Sequence, residues 1–209
     1  MLKRAACLCI FALSVAVFAA GIGTGGEKTK GKENKDPKYN NPTFVPTADE
    51  VIEKMFEMAK VNEKDVMFDL GCGDNRICFM AAKKFGCRGV GLELNPKRII
   101  EAMDLWEKKY SDLKLLVETR HGDALDPKDM SDATVVVMYM FPEFMDLWFP
   151  YAEKKLKPGT RIVSHDYSWT KGWDPVATVT VKSASRDNHK VILWVVPEKK
   201  KAKIKIPGE

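Results

Sequence analysis

A chain of 209 residues is long enough for one domain with a proper core, plus tails. Its composition, 45% hydrophobic and 30% charged, is that of an ordinary globular protein. The net charge of +5 does not make the body basic: residues 1–38 hold seven Lys and Arg against three acids, residues 199–209 hold five Lys against Glu209, and the segment between is left at −3, which argues against a nucleic-acid partner for the body.

Lys3 and Arg4 precede an uncharged run that lasts until Glu27. Its most apolar part has the length of a signal-peptide core and is short for a membrane span. Small residues around Val17-Phe18-Ala19 suit cleavage after Ala19 or Ala20. Residues 1–20 are therefore expected to be a signal peptide, or an N-terminal anchor touching the membrane. Either way the remainder is expected to be exported, periplasmic or membrane-anchored. Residues 21–43, rich in Gly, Lys, Asn and Pro, read as a flexible linker, and 199–209 as a basic tail. The ordered domain is expected over 44–198. Beyond the leader, three cysteines remain: Cys72, Cys78 and Cys87. An odd number without a CxxC pattern describes neither a zinc site nor a disulfide framework, and small buried residues are the simpler reading.

Thr47-Ala48-Asp49-Glu50 reads as a capping box, followed by Val51, Ile52, Met55, Phe56 and Ala59 at helical spacing. VMFDL, 66–70, is a short buried strand. The turn GCGDN leads into a helix that ends near Phe85. GVGLEL, 89–94, is a second strand, and Asn95-Pro96 opens a helix with proline where its missing N–H costs nothing. LKLLVET, 113–119, reads as a third strand ending at His121-Gly122-Asp123, and ATVVVMYM, 133–140, as a fourth, buried on both faces. Pro142 opens another helix, which Lys157-Pro158-Gly159 ends. RIVSHDY, 161–167, is a fifth strand. VATVTVKSA and HKVILWVVP flank 185–188 as a closing hairpin. Strands alternating with helices specify an α/β fold, a parallel sheet with helices on both faces, with the hairpin adding an antiparallel strand at one edge.

The turn after the first strand carries the chemistry. Gly71 and Gly73 let backbone approach a ligand, and the helix behind them aims free N–H groups at it. A dinucleotide fingerprint would want a third glycine at 76, where Arg76 stands, and there is no GK[ST] for a triphosphate. Asp69, at the end of the first strand, would repel a pyrophosphate but suits a cationic ligand. Glu93, at the end of the second strand, is placed to grip ribose hydroxyls. Asp123, after the third, is placed to accept from an adenine amino group. The pattern asks for a ribose-bearing, cationic ligand without phosphate, which S-adenosyl-L-methionine satisfies.

In DLGCGDNR, GVGLELNP and HGDAL, taken with VPTADEVIEKMFEMA ahead of them, the chain resembles class I S-adenosylmethionine-dependent methyltransferases. The finer pattern looks like the ATP-synthase c-subunit lysine methyltransferase family and its bacterial relatives. That family's motif usually reads GxGDGR; Asn75 replaces its last glycine here. The resemblance covers roughly Val45 to Val196. It implies a Rossmann-like seven-stranded sheet, mostly parallel, with a reversed last strand. It places Asp69, Gly71 and Gly73 around the methionine part of the cofactor, Glu93 on the ribose, Asp123 near the adenine, and Thr47 in the segment that closes over the site.

The reaction implied is in-line methyl transfer to a nucleophile, an amine such as a protein lysine or a small-molecule amine. The catalytic candidates are Tyr139 and Glu143, in MYMFPEF at the end of strand four, and Asp166, which with His165 ends strand five. Two alternatives stay open: a small-molecule methyltransferase, and a fold relative that binds the cofactor without turnover.

Overall fold

The structure is a computed structural model that describes residues 44–198. The leader, the linker and the basic tail lie outside the described residues. Among those described, no helix is long and apolar enough to cross a membrane.

Helix α1 (Asp49–Ala59) buries Val51, Ile52, Met55, Phe56 and Ala59, the face its spacing predicts. The capping box does not form. Ala48 is the N-cap and no side chain caps the helix. Thr47 instead turns its hydroxyl inward to His165, a partner 118 residues away. Lys60, in the left-handed region, ends the helix and donates to the carbonyls of Glu57 and Phe56.

Strand β1 (Val66–Leu70) leads through the glycine turn into α2 (Arg76–Phe85). Strand β2 (Arg88–Glu93) and helix α3 (Pro96–Lys109) follow, with the Asn95 side chain accepting from Lys97 N–H as the cap. The third strand is displaced from its expected place. Residues Ser111–Leu113 form a 3-10 turn and β3 is Val117–His121. Leu115, which the sequence places within the third strand, is 94% exposed. The reason is that β3 pairs only with β2 and so lies at the sheet edge. Its Glu118 and Arg120 pair with each other on the wet side, which dilutes the apolar signal.

Strand β4 (Val135–Met138) is wholly buried, helix α4 is Pro142–Lys155, and β5 is Arg161–His165. Both strands stop short of the expected spans. Tyr139 and Met140 leave the sheet over its carboxyl edge, and Asp166 turns away with φ 65. The hairpin supplies β6 (Ala177–Val181) and β7 (His189–Val195).

The sheet has seven strands in the order β3-β2-β1-β4-β5-β7-β6. β1 to β5 run parallel, and β7 runs antiparallel between β5 and β6. The reversed strand is therefore interior and β6 forms the edge. Strand order reverses at β1, which pairs with β2 on one side and β4 on the other. In open α/β sheets that crevice, at the carboxyl ends, is where ligands bind. At the opposite end, Arg161 donates to the carbonyl that ends α1 (Ala59 O, 2.7 Å) and pairs with buried Asp65. This ties β5, α1 and β1 together.

Candidate active site

The turn after β1 is held in three left-handed residues: Gly71 at φ 72, Gly73 at φ 57 and Asn75 at φ 60. Only glycine takes that region freely; asparagine takes it better than most. The N–H groups of Gly71 and Cys72 both donate to Leu92 O, at 2.9 and 3.0 Å, so the turn lies on the end of β2. Glu93 completes the fixture. One carboxylate oxygen accepts from Gly73 N–H and the other from Asn95 N–H, each at 2.8 Å. Each oxygen keeps a second lone pair for a ligand hydroxyl.

The missing Cβ atoms matter at both glycines. A Cβ on Gly71 would come within 2.9 Å of Met140 Sδ, and one on Gly73 within 2.0 Å of the Phe44 ring. Phe44 also lies against the Arg98 guanidinium, 4.3 Å from its ring centre. The chain thus enters the domain across the glycine turn.

Asp69 is 2% exposed, and its Oδ2 makes no hydrogen bond to any described residue. Burial, then the charges of Glu93 and Asp74, push its carboxyl up to about 8. A lone buried carboxylate is costly, and a positive ligand group would relieve it. This is the property a sulfonium-bearing amino acid needs of the pocket floor. The donor set therefore fits the cofactor: Asp69 for positive charge, glycines for close approach, Glu93 for hydroxyls.

Asn75, the departure from the glycine motif, is fully buried. Its amide donates to Thr119 Oγ1 at 2.8 Å and to Glu118 O at 3.3 Å, so it reaches under β2 to β3. It fits because position 91 is glycine: a Cβ there would sit 2.5 Å from Asn75 Oδ1.

The remaining predicted residues divide. Asp123 is exposed beyond β3 and spends one oxygen on Leu125 N–H (2.8 Å), closing a local turn. Glu143 is exposed in the first turn of α4. Tyr139 and Asp166 do come together, with the phenol donating to Asp166 Oδ2 at 3.3 Å. Asp166 is well tied. It accepts from Lys190 N–H at 2.9 Å and from Arg186 at 2.5 Å. Although burial pulls the other way, Arg186 and Lys190 N–H hold its carboxyl below the usual range. Burial and Asp166 push the Tyr139 phenol up. The pair is thus a phenol on a braced carboxylate, not a free base.

Around it lie groups the sequence did not assign. Tyr139 packs on His165 (3.9 Å between ring centres) and near Tyr167 (5.9 Å), which in turn meets Phe141 (5.4 Å). His165 bonds His189, and His189 bonds Ser183 and Arg186. His165, Asp166 and His189 bring potential ligand atoms within 4.8 Å of one another. The Arg186 guanidinium takes the place a cation would hold among them. Arg186 and His189 were legible only as hairpin residues, since their use depends on β7 pairing with β5. Cys72, Cys78 and Cys87 are buried free thiols. Burial raises all three.

This sheet order, with a glycine turn, a buried acid and a second acid that braces the turn at the switch point, defines a class I S-adenosylmethionine-dependent methyltransferase. Its relatives are of the same class. Residues 69–177 match the ANTKMT methyltransferase domain, and the chain belongs to that family. A protein-lysine N-methyltransferase of Saccharolobus islandicus (strain REY15A) is 40% identical over 159 residues, covering 75% of this chain and 95% of the relative. The human ATP-synthase c-subunit lysine N-methyltransferase is 30% identical over 138 residues, covering 63% of this chain; the chain spans 54% of that protein. Among solved structures, an RNA methyltransferase from Salinibacter ruber in complex with S-adenosyl-L-homocysteine superposes with a TM-score of 0.67 at 39% identity. The match covers 74% of this chain and 95% of that one.

Proposed function

We propose that the protein methylates lysine side chains of proteins. The observation that carries this reading is the acceptor side of the edge. It is lined by Tyr139, Tyr167 and the half-exposed Phe141, and the Arg186 guanidinium beside them is paired with Asp166. Aromatic faces suit an alkylammonium chain, whereas a phosphate backbone asks for Lys and Arg. The names of the Saccharolobus and human relatives support the same acceptor.

S-adenosylmethionine supplies a methyl group on a sulfonium, already activated for displacement. The protein's task is positioning. Glu93 would hold the ribose, the glycine turn would admit the amino-acid end, and Asp69 would answer its positive charge. A lysine ammonium, with an ordinary pKa of about 10.4, must lose a proton before its lone pair attacks. Desolvation against Tyr139, Phe141 and Tyr167 lowers that pKa. With that proton passed to solvent, the amine lone pair would form the N–C bond as the C–S bond breaks, the electron pair leaving with sulfur.

The test incubates the protein and S-adenosylmethionine with a protein mixture, a panel of small amines and an RNA pool, and reads mass. Methyl increments on lysine peptides support the proposal. Increments confined to RNA or to small amines refute the acceptor, and none anywhere, despite tight cofactor binding, favours a non-catalytic relative. We further propose, from the leader alone, that the domain acts outside the cytoplasm. Sequencing the mature N-terminus from the native host tests this; an intact Met1 on cytoplasmic protein would end it.

A further inference from the structure

Behind Tyr139, three side chains bring ligand atoms to one point. His165 ends β5, Asp166 turns out of the sheet beside it, and His189 begins β7. His165 Nε2 lies 2.8 Å from His189 Nδ1 and 3.4 Å from Asp166 Oδ2. The three residues' ligand atoms all lie within 4.8 Å of one another. On a tetrahedral ion, ligand atoms about 2.1 Å from the metal stand about 3.4 Å apart. The observed spacing brackets that value.

The atoms that face away are already engaged. Thr47 Oγ1 lies 3.2 Å from His165 Nδ1, and Ser183 Oγ lies 2.9 Å from His189 Nε2. Asp166 Oδ1 accepts from Lys190 N–H at 2.9 Å. With the Nδ1–H of His165 and the Nε2–H of His189 given to these hydroxyls, each ring turns a bare nitrogen inward. Metal-binding histidines are oriented in this way, by the hydrogen bond that the other ring nitrogen makes.

Hydrogen bonds alone do not satisfy the centre. Arg186 Nη2 stands 2.8 Å from His189 Nδ1 and donates to its one lone pair. His165 Nε2 is then left over. As an N–H it meets a lone pair already in use, and as a bare nitrogen it meets that lone pair head-on. A metal ion would take one lone pair from each ring and one from Asp166 Oδ2. Arg186 matches such an ion in the sign of its charge, but it cannot accept a lone pair. Its side chain comes from the hairpin loop and is 43% exposed, so it can leave toward solvent.

We propose that His165 Nε2, His189 Nδ1 and Asp166 Oδ2 form a site for a divalent transition-metal ion of the zinc type, which binds in exchange for the Arg186 guanidinium. Three protein ligands leave the fourth position to water. Two imidazoles with one carboxylate suit Zn²⁺, whereas Mg²⁺ and Ca²⁺ prefer oxygen throughout. The ion would tie β7 to β5 directly behind Tyr139, whose ring packs on His165 at 3.9 Å between centres. The site does not depend on which group accepts the methyl.

The test is imidazole nitrogen NMR of the untagged full chain at pH 7, with Zn²⁺ added. The chain has three histidines, His121, His165 and His189, so the spectrum is simple to assign. At one ion per chain, Zn²⁺ should move His165 Nε2 and His189 Nδ1 and leave His121 unmoved. Calorimetry then compares variants. Asp166→Asn should weaken Zn²⁺ at least about tenfold. Arg186→Met, which removes the competing cation, should tighten it about fivefold. Co²⁺ should give the visible bands of a tetrahedral ion without thiolate charge transfer. A thiolate band would assign the ion to the cysteines and overturn the site. So would a folded wild type that binds no Zn²⁺, shifts confined to His121, or an affinity unchanged in Asp166→Asn or in Arg186→Met. The wild-type spectrum decides the matter even where a variant fails to fold.

Discussion

Cofactor binding should expel a proton from Asp69. In the free protein this carboxyl is buried, lacks a partner for Oδ2 and is pushed up to about 8 by burial and by Glu93 and Asp74. A cationic ligand end favours the carboxylate and pulls that pKa down on binding. The sign follows: the bound state holds fewer protons, so affinity rises with pH up to the free-state pKa. For S-adenosylhomocysteine, the ionised fraction of Asp69 climbs from about one in a hundred at pH 6 to about one half at pH 8. Affinity should therefore rise about fiftyfold over that range, or about 2.3 kcal/mol. Calorimetry in two buffers of different ionisation enthalpy counts the protons directly, and near pH 6 about one should leave per ligand bound. Asp69→Asn should flatten the dependence and abolish the release. Wild-type affinity that is level from pH 6 to pH 8, with no proton released, would refute the assignment of Asp69 to the ligand's positive charge.

Glu93→Ala removes the acceptor for two backbone N–H groups and the grip on ribose hydroxyls; binding of S-adenosylhomocysteine should weaken by about 2 kcal/mol, or about thirtyfold, by calorimetry. Asp65→Ala strips Arg161 of its carboxylate at the far end of the sheet and should cost about 2 kcal/mol in urea unfolding, below the cost of a fully buried pair because Arg161 is partly exposed. Burial raises the Asp65 carboxyl, but Thr134, Arg161 and Asn62 outweigh it and hold it below 3.8. Its contribution is then complete above about pH 4 and fades as pH falls through the folded-state value, so the variant should lose less stability on acidification than the wild type. Gly91→Ala should cost about 2 kcal/mol in the same assay, because the new methyl enters the space of Asn75 and Cys72.

The cofactor half of the site was legible because its determinants are local. A glycine turn sits directly after its strand, and Asp69 and Glu93 stand at strand ends that hydrophobic runs mark. The acceptor half depends on pairings between distant segments. His189 reaches His165 only because β7 inserts beside β5, and nothing in the hairpin's alternation says where it docks. Thr47 shows the limit most plainly. Thr-x-x-Glu ahead of a helix looks the same whether the hydroxyl caps the helix or faces inward, and the buried imidazole that takes it lies in another strand. At β3 the opposite failure occurred. Its apolar letters, Leu113 to Leu116, go to a turn and to solvent, while the strand itself uses charged residues on its open edge.

Asn75 ties the two kinds of information together. The turn needs a left-handed residue at this point, which the usual glycine provides at no steric cost. Asparagine tolerates the same φ and brings an amide, which here bonds β3 beneath β2. That amide has room only because position 91 lacks a side chain, so the choice at 75 is coupled to the choice at 91. The coupling is measurable. Asn75→Ala alone loses two hydrogen bonds and keeps an unfavourable φ, and Gly91→Ala alone forces a clash. In the double variant the new methyl no longer meets Asn75 Oδ1, so the two losses should sum to about 1 kcal/mol more than the pair together costs. Strict additivity would mean that Asn75 and Gly91 do not share the space under β2, and that the asparagine is tolerated at the turn for its backbone alone.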